Sequence, residues 1–156
     1  MKKGKLGIFF CLCFLLSVFV SRPLLAQSNV LIDQLLREDK ATFGKSAYLC
    51  LMAANLISQR AGVADALAYL EKANWGITIK KADEPIHLGE LAYLLMKAFD
   101  MKGGIMYSLA PGPRYACREL AYLEIITGRV HPDRIISGER ALQIISNMVA
   151  WKEDHQ

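Results

Sequence analysis

The chain has 156 residues, 53% hydrophobic and 22% charged, with a formal net charge of +4. That length suffices for one domain with a modest core. The basic excess sits in the first 26 residues, where Lys2, Lys3, Lys5 and Arg22 meet no acid, so the remainder is formally neutral. A neutral domain lacks the electrostatic footprint of a nucleic-acid binder and carries no polybasic patch for anionic lipid.

Met1-Lys2-Lys3-Gly4-Lys5 is a basic start, Ile8 to Val20 is an apolar run broken by Ser17, and Ala26 offers a small residue for cleavage. That order is the layout of a secretory signal peptide over residues 1–26. A permanent anchor is the weaker alternative, because the run falls short of the ~20 residues a span needs. Cys11 and Cys13 lack the small residues that precede a lipidated cysteine. The expected mature chain is residues 27–156, exported to the periplasm or cell surface, with no membrane span after cleavage. Cys50 and Cys117 would then meet an oxidising compartment. A disulfide between them and two separate buried thiols are both open readings.

Apolar residues at 31, 32, 35 and 36 predict a short helix over 29–37. A second helix is expected over 45–58, and a third over 63–73 with Gly76 as its stop. Helices over 88–100, 114–126 and 138–150 follow, the fifth closed by Gly128. Residues 105–109 suggest a short extended piece, and Ala110-Pro111-Gly112-Pro113 a rigid turn whose prolines fix φ and remove two donors. The fold class is all-α, in one domain without a long linker.

Three stretches share one pattern: Ala41 to Tyr48, Ile86 to Tyr93 and Ile135 to Leu142. Each holds a Gly (44, 89, 138), then a charged residue (Lys45, Glu90, Glu139), one variable position and an Ala (47, 92, 141). Spacing of this size marks a repeated supersecondary unit too small to bury its own apolar face. Counted from each Gly, the +3, +6, +7 and +10 positions are apolar in all three copies and fall on one stripe of a helix. A longer frame recurs as well, in which a short helix, a Gly, a Pro-bearing loop and a longer helix follow one another. Ala66-Leu67-Ala68-Tyr69-Leu70 precedes the second motif in this way, and Glu119-Leu120-Ala121-Tyr122-Leu123 precedes the third. Three helix–loop–helix repeats are therefore expected near 29–60, 63–100 and 114–151.

With these features the chain resembles the S-layer homology domain family, whose long helices open on an Ile-Thr-Arg-Ala-Glu-like motif. Ile86, Glu90 and Ala92 match it, as do Ile135, Glu139 and Ala141, while Thr42 and Ala47 are kept in the first copy. The resemblance spans residues 41–151. It implies a pseudo-three-fold helical bundle that binds cell-wall polysaccharide. The family's Arg, which helps line the glycan pocket, is replaced by Phe43, Leu88 and Ser137. Without a guanidinium, bidentate capture of an acidic sugar group loses its main donor.

Catalytic patterns are sparse. Gly44-Lys45-Ser46 resembles the end of a phosphate loop, but the earlier Gly is Asp39 and no strand precedes it. His87, His131 and His155 are scattered, which argues against zinc, and His87 is better placed to start a helix. No Gly-x-Ser-x-Gly elbow exists. Glu90 and Glu139, three residues into their helices, suit capping and the macrodipole better than acid–base work. Trp75 and Trp151, near helix ends, suit core closure better than sugar stacking. The segment from Gly103 to Tyr115 stands out, with Met106, Tyr107, Arg114 and Tyr115 forming a candidate partner-binding hot spot around a rigid turn. The expected function is a non-catalytic scaffold of the bacterial envelope, without cofactor or metal. Its partner would be an envelope protein, or a cell-wall polysaccharide in the alternative anchoring role; an enzyme of unknown type is the third reading.

Overall fold

A computed structural model describes residues 26–155, so the leader expected over residues 1–26 lies, but for Ala26, outside the described residues. Seven helices follow in order: α1 (Ala26–Leu36), α2 (Phe43–Ala53), α3 (Val63–Ala73), α4 (Leu88–Ala98), α5 (Ile105–Leu109), α6 (Pro113–Tyr122) and α7 (Gly138–Asp154). The chain is all-α, as its periodicity implies. The described residues contain no strand, only two isolated antiparallel bridges, Thr42 with Pro85 and His87 with Ile135.

The three motif helices α2, α4 and α7 pack on one another, and each has a second partner: α3 on α2, α6 on α4, and α1 on α7. In the first two pairs the partner thus packs on the motif helix before it in the chain. The N-terminal α1 supplies the partner that the C-terminal α7 lacks. The expected apolar stripe is buried: Ala47, Ala92, Ala141, Cys50, Leu95, Ile144, Leu51 and Met96 are all shielded from solvent. The three helices are nonetheless unequal. In α2 and α4 nearly every residue of the first turns is buried, whereas α7 buries one face only. Helices buried all round lie at the centre of a core, and one-sided helices lie at its wall.

The units are joined by backbone hydrogen bonds that run in a circle. The amide that follows each N-cap donates to the loop of another unit: Phe43 to Glu84 O at 2.7 Å, Leu88 to Arg134 O at 2.8 Å and Gly138 to Glu38 O at 2.9 Å. One layer further in, Ile86 donates to Ala41 O at 2.9 Å and Ala41 to Ile136 O at 2.8 Å. These three residues directly precede the N-caps Thr42, His87 and Ser137, and all are buried. The bonds answer the accounting demand that a buried loop places on its polar backbone.

This register corrects the sequence alignment of the third repeat. By N-cap and hydrogen bonding, Gly138 stands level with Phe43 and Leu88, one place before Gly44 and Gly89. Glu139 therefore occupies the Gly position, and Arg140 shares the third helical position with Lys45 and Glu90. Glu139 is not three residues into its helix, and the capping bond there runs from Arg140 N to Ser137 Oγ at 3.3 Å. The position that carries Arg in the resembling family holds Phe43, Leu88 and Gly138.

Several boundaries also move. The second helix ends at Ala53 and not at Ser58, because Asn55 turns to φ 58°; Asp100 does the same after α4 with φ 49°. Both ends share one pattern, in which Leu56 N–H reaches Leu51 O at 2.9 Å and Met101 N–H reaches Met96 O at 2.8 Å. Such left-handed closures satisfy the last carbonyls. Glu124, at φ 59°, stops α6 short of Ile126 in the same way. Residues 105–109 are helical and not extended: Ser108 and Ala110 amides reach Gly104 and Met106 carbonyls at 3.0 Å. Gly103-Gly104 starts this turn rather than a strand.

The repeated glycines serve close approach. A Cβ on Gly138 would sit 1.6 Å from Leu35 O, and one on Gly44 would sit 2.7 Å from Val63 Cγ1 and 2.9 Å from Ala82 Cα. Gly112 has nothing within 4 Å. Gly138→Ala must push α1 off α7 and should cost about 3 kcal/mol or more, whereas Gly112→Ala should be near neutral. Urea denaturation of the two variants checks this; equal midpoints would contradict the ring closure.

Candidate binding site

The third position of each long helix sits where that helix meets a neighbouring loop. In α2, Lys45 forms an ion pair with Glu38, whose other oxygen accepts the Thr42 amide at 2.9 Å. The carboxylate thus caps the helix from the preceding chain instead of from within it. In α4 the arrangement is reversed. Glu90 Oε2 accepts the His87 amide at 2.8 Å, and Lys80 Nζ lies 2.7 Å from Glu90 Oε1. Lys80 also donates to Pro85 O at 3.1 Å and lies 3.0 Å from His87 Nδ1. Both clusters are largely shielded, and each binds its own cation.

The start of α7 carries no such carboxylate–cation pair among the described residues. Arg140 instead donates to Thr127 O and, at 2.8 Å, to Gln143 Oε1. That leaves an open groove of about 580 Å³ lined by Arg129, Arg134 and Arg140 together with Asp39 and Glu139, and by the exposed Ile135. Arg129 and Arg134 are exposed and form no ion pair among the described residues. Three guanidiniums against two carboxylates leave the groove net positive. Its planar donor forks suit carboxylate or phosphate oxygens. Sequence reasoning missed this site because it sought Arg only at the family's motif position. The guanidiniums come instead from the Thr127–Arg134 connection and from the third helical position. The signal available was the run Gly128-Arg129, Arg134 and Arg140 around one predicted helix start.

The four residues expected to form a hot spot are only partly brought together on the surface. Met106 is exposed, Arg114 is exposed and Tyr115 is half-buried. Tyr107 is corrected: it is 6% exposed and packs edge-on against Tyr93, with ring centroids 6.2 Å apart. It anchors α5 to α4 and offers almost no area to a partner. Tyr93 in turn donates to Trp75 O at 3.1 Å, and Trp75 packs against Tyr69 at 5.8 Å. Trp151 stacks on His155 at 4.3 Å. Both tryptophans pack against the core.

Cys50 and Cys117 are buried free thiols. Burial pushes the Cys50 thiol up, and it pushes Cys117 up to about 12, with the Asp133 charge adding to the shift. A thiol held protonated in this way is a poor nucleophile. Among the described residues no three His, Cys, Asp or Glu side chains converge as metal ligands, and no helix is long and apolar enough to cross a membrane.

Two outcomes follow from this packing. The Tyr107 hydroxyl is buried without a hydrogen-bond partner among the described residues. Tyr107→Phe should therefore hold or raise stability by up to about 1 kcal/mol, while Tyr107→Ala should lose about 3–5 kcal/mol. Thermal denaturation of both variants tests the anchoring role. Burial also holds Tyr107 near 12, against 10.0 for an ordinary tyrosine, with Tyr93 adding to the shift. In the unfolded chain these thiols and this phenol ionise first, at about 9–10, so above that range the unfolded state binds fewer protons than the folded one. Stability should be fully present at neutral pH and fall as pH rises from about 9 towards 12, with a shallower fall in Cys50→Ala/Cys117→Ala; denaturant midpoints across that range measure it.

No protein-family model, curated protein or solved structure matches the chain.

Proposed function

We propose that the chain is a non-catalytic binding module of the bacterial cell envelope, holding an acidic cell-wall glycan in the Arg129–Arg134–Arg140 groove. The observation that carries this reading is the groove itself. Two helix starts neutralise their third-position side chain with a local ion pair, and the third opens about 580 Å³ to solvent with two unpaired guanidiniums. A carboxylate-bearing sugar would receive forked donors from Arg129 and Arg134, with Ile135 offering an apolar floor to the ring. Arg140, already bonded to Thr127 O, would position the loop that carries Arg129. The earlier objection to glycan binding rested on missing guanidiniums at the motif position, and the loop provides them by another route. The three-repeat resemblance and the leader pattern favour an exported envelope setting. The scaffold reading through the Gly103–Tyr115 segment loses its central aromatic, because Tyr107 is spent on internal packing.

The test is retention of the protein on purified cell-wall sacculi. Arg129→Gln/Arg134→Gln should weaken retention by about tenfold or more with an unchanged denaturation midpoint, since each charge-assisted contact contributes about 1.5–3 kcal/mol. Arg129→Lys/Arg134→Lys should fall in between, because Lys keeps charge but loses the fork. Retention equal to the parent in the Gln variant would remove the groove from the function.

A further inference from the structure

The second unit contains an insertion that the ring does not need. Between Leu56, where α2 closes, and Val63, where α3 begins, the chain spends six residues, and between Met101 and Pro113 it spends eleven, including α5. The extra helix points its apolar residues outward. Ile105 is 78% exposed, Met106 58% and Leu109 77%, beside the exposed Pro111 and Pro113. Only Tyr107 faces in.

Charge around this tip is basic by one, with Lys102, Arg114 and Arg118 against Asp100 and Glu119. From Met101 to Arg118 there is no acidic residue, while Lys102, Arg114 and Arg118 are all exposed. Arg114, Arg118 and the exposed Tyr122 recur every four residues and so form one stripe along α6. Asp100 and Glu119 bound the stretch, and the Glu119 carboxylate lies against Gly104. The neutral total of the domain conceals this local basic excess.

We propose that α5 is a membrane-surface contact: Ile105, Met106 and Leu109 enter the interface of an anionic bilayer while Lys102, Arg114 and Arg118 meet its headgroups. Charge argues for a bilayer over a second copy of the chain, because two copies would bring the same basic side chains together, whereas anionic headgroups complement them. A bilayer asks for no shape complementarity, and a short apolar tip with basic neighbours is what its interface accommodates. The anchoring fits the same role. Tyr107 holds α5 on Tyr93 by its inner face, so the outward Ile105, Met106 and Leu109 can meet an interface without disturbing the ring. This contact is independent of the groove, and neither depends on the other being occupied.

The test is amide hydrogen exchange of the full chain, read over residues 103–110, with vesicles of phosphatidylcholine alone or with about one third phosphatidylglycerol added. The local readout excludes membrane attachment elsewhere in the chain. Exchange over 103–110 should slow by about fivefold or more with the anionic vesicles and less with the neutral ones. The slowing should vanish in Ile105→Ser/Leu109→Ser, whose substitutions lie at exposed positions and leave the denaturation midpoint unchanged. It should weaken in Arg114→Gln/Arg118→Gln. Unchanged exchange in the parent with anionic vesicles overturns the proposal. So does protection that appears without vesicles and grows with protein concentration, which would make the tip a protein contact.

Discussion

The fold depends on a single junction between its two ends. Gly138 brings the backbone of α7 against Leu35 so closely that no Cβ fits between them, and its amide donates to Glu38 O. This contact turns a row of helix pairs into a closed ring. Units of a linear array bury only the faces they share with neighbours, so the terminal units need caps. Here α1 is the cap, and it completes the last unit from the first end of the chain. The bonds from Phe43 to Glu84 and from Leu88 to Arg134 are counterparts of the Gly138 bond at the other two junctions. Losing it would expose both α1 and the apolar face of α7.

Closure by backbone explains how the third-position side chains could diverge. The amides after the N-caps are satisfied by carbonyls, so Lys45, Glu90 and Arg140 are free to differ without loosening the ring. The first two settle into shielded ion pairs with Glu38 and Lys80. Partly shielded pairs of this kind contribute modestly to stability, and their larger effect is to occupy space and remove charge. The third side chain bonds to a carbonyl, leaves its neighbours Arg129 and Arg134 unpaired, and so creates the one basic groove that the described junctions contain. The asymmetry of a single position separates two structural junctions from a candidate binding one.

The all-α class, the helix order and the buried stripe were legible in the sequence because the 3.6-residue period and the Gly–x–x–Ala pattern are local signals. The ends of α2, α4 and α6 were not, since left-handed closure at Asn55, Asp100 and Glu124 needs no glycine and left no stop to read. The third repeat was misaligned by one residue for a related reason. Gly138 and Gly44 look equivalent as letters, yet each is a glycine because a different piece of chain passes over it. The groove escaped notice because its arginines are brought together by the Thr127–Arg134 connection, which has no helical period. Tyr107 looked like a surface aromatic because five residues between two breakers carry too little pattern to assign a face.

The two proposed contacts make different demands on shape, and the fold separates them accordingly. The groove is built on the start of the longest helix and on a loop whose Arg134 carbonyl is already committed to Leu88. The backbone that carries Arg134 is therefore fixed, and Arg140 is held by its bond to Thr127 O. The α5 tip is an insertion outside the ring, held by Tyr107 against Tyr93 and by packing on α6. A fluid interface asks for no preformed pocket, so outward apolar side chains suffice. An insertion of this kind would have disturbed the ring if placed before an N-cap, where residues such as Ala41 and Ile86 are already paired. Placed after the closure of α4, it exposes three apolar side chains at no cost to the hydrogen bonds that hold the three units together.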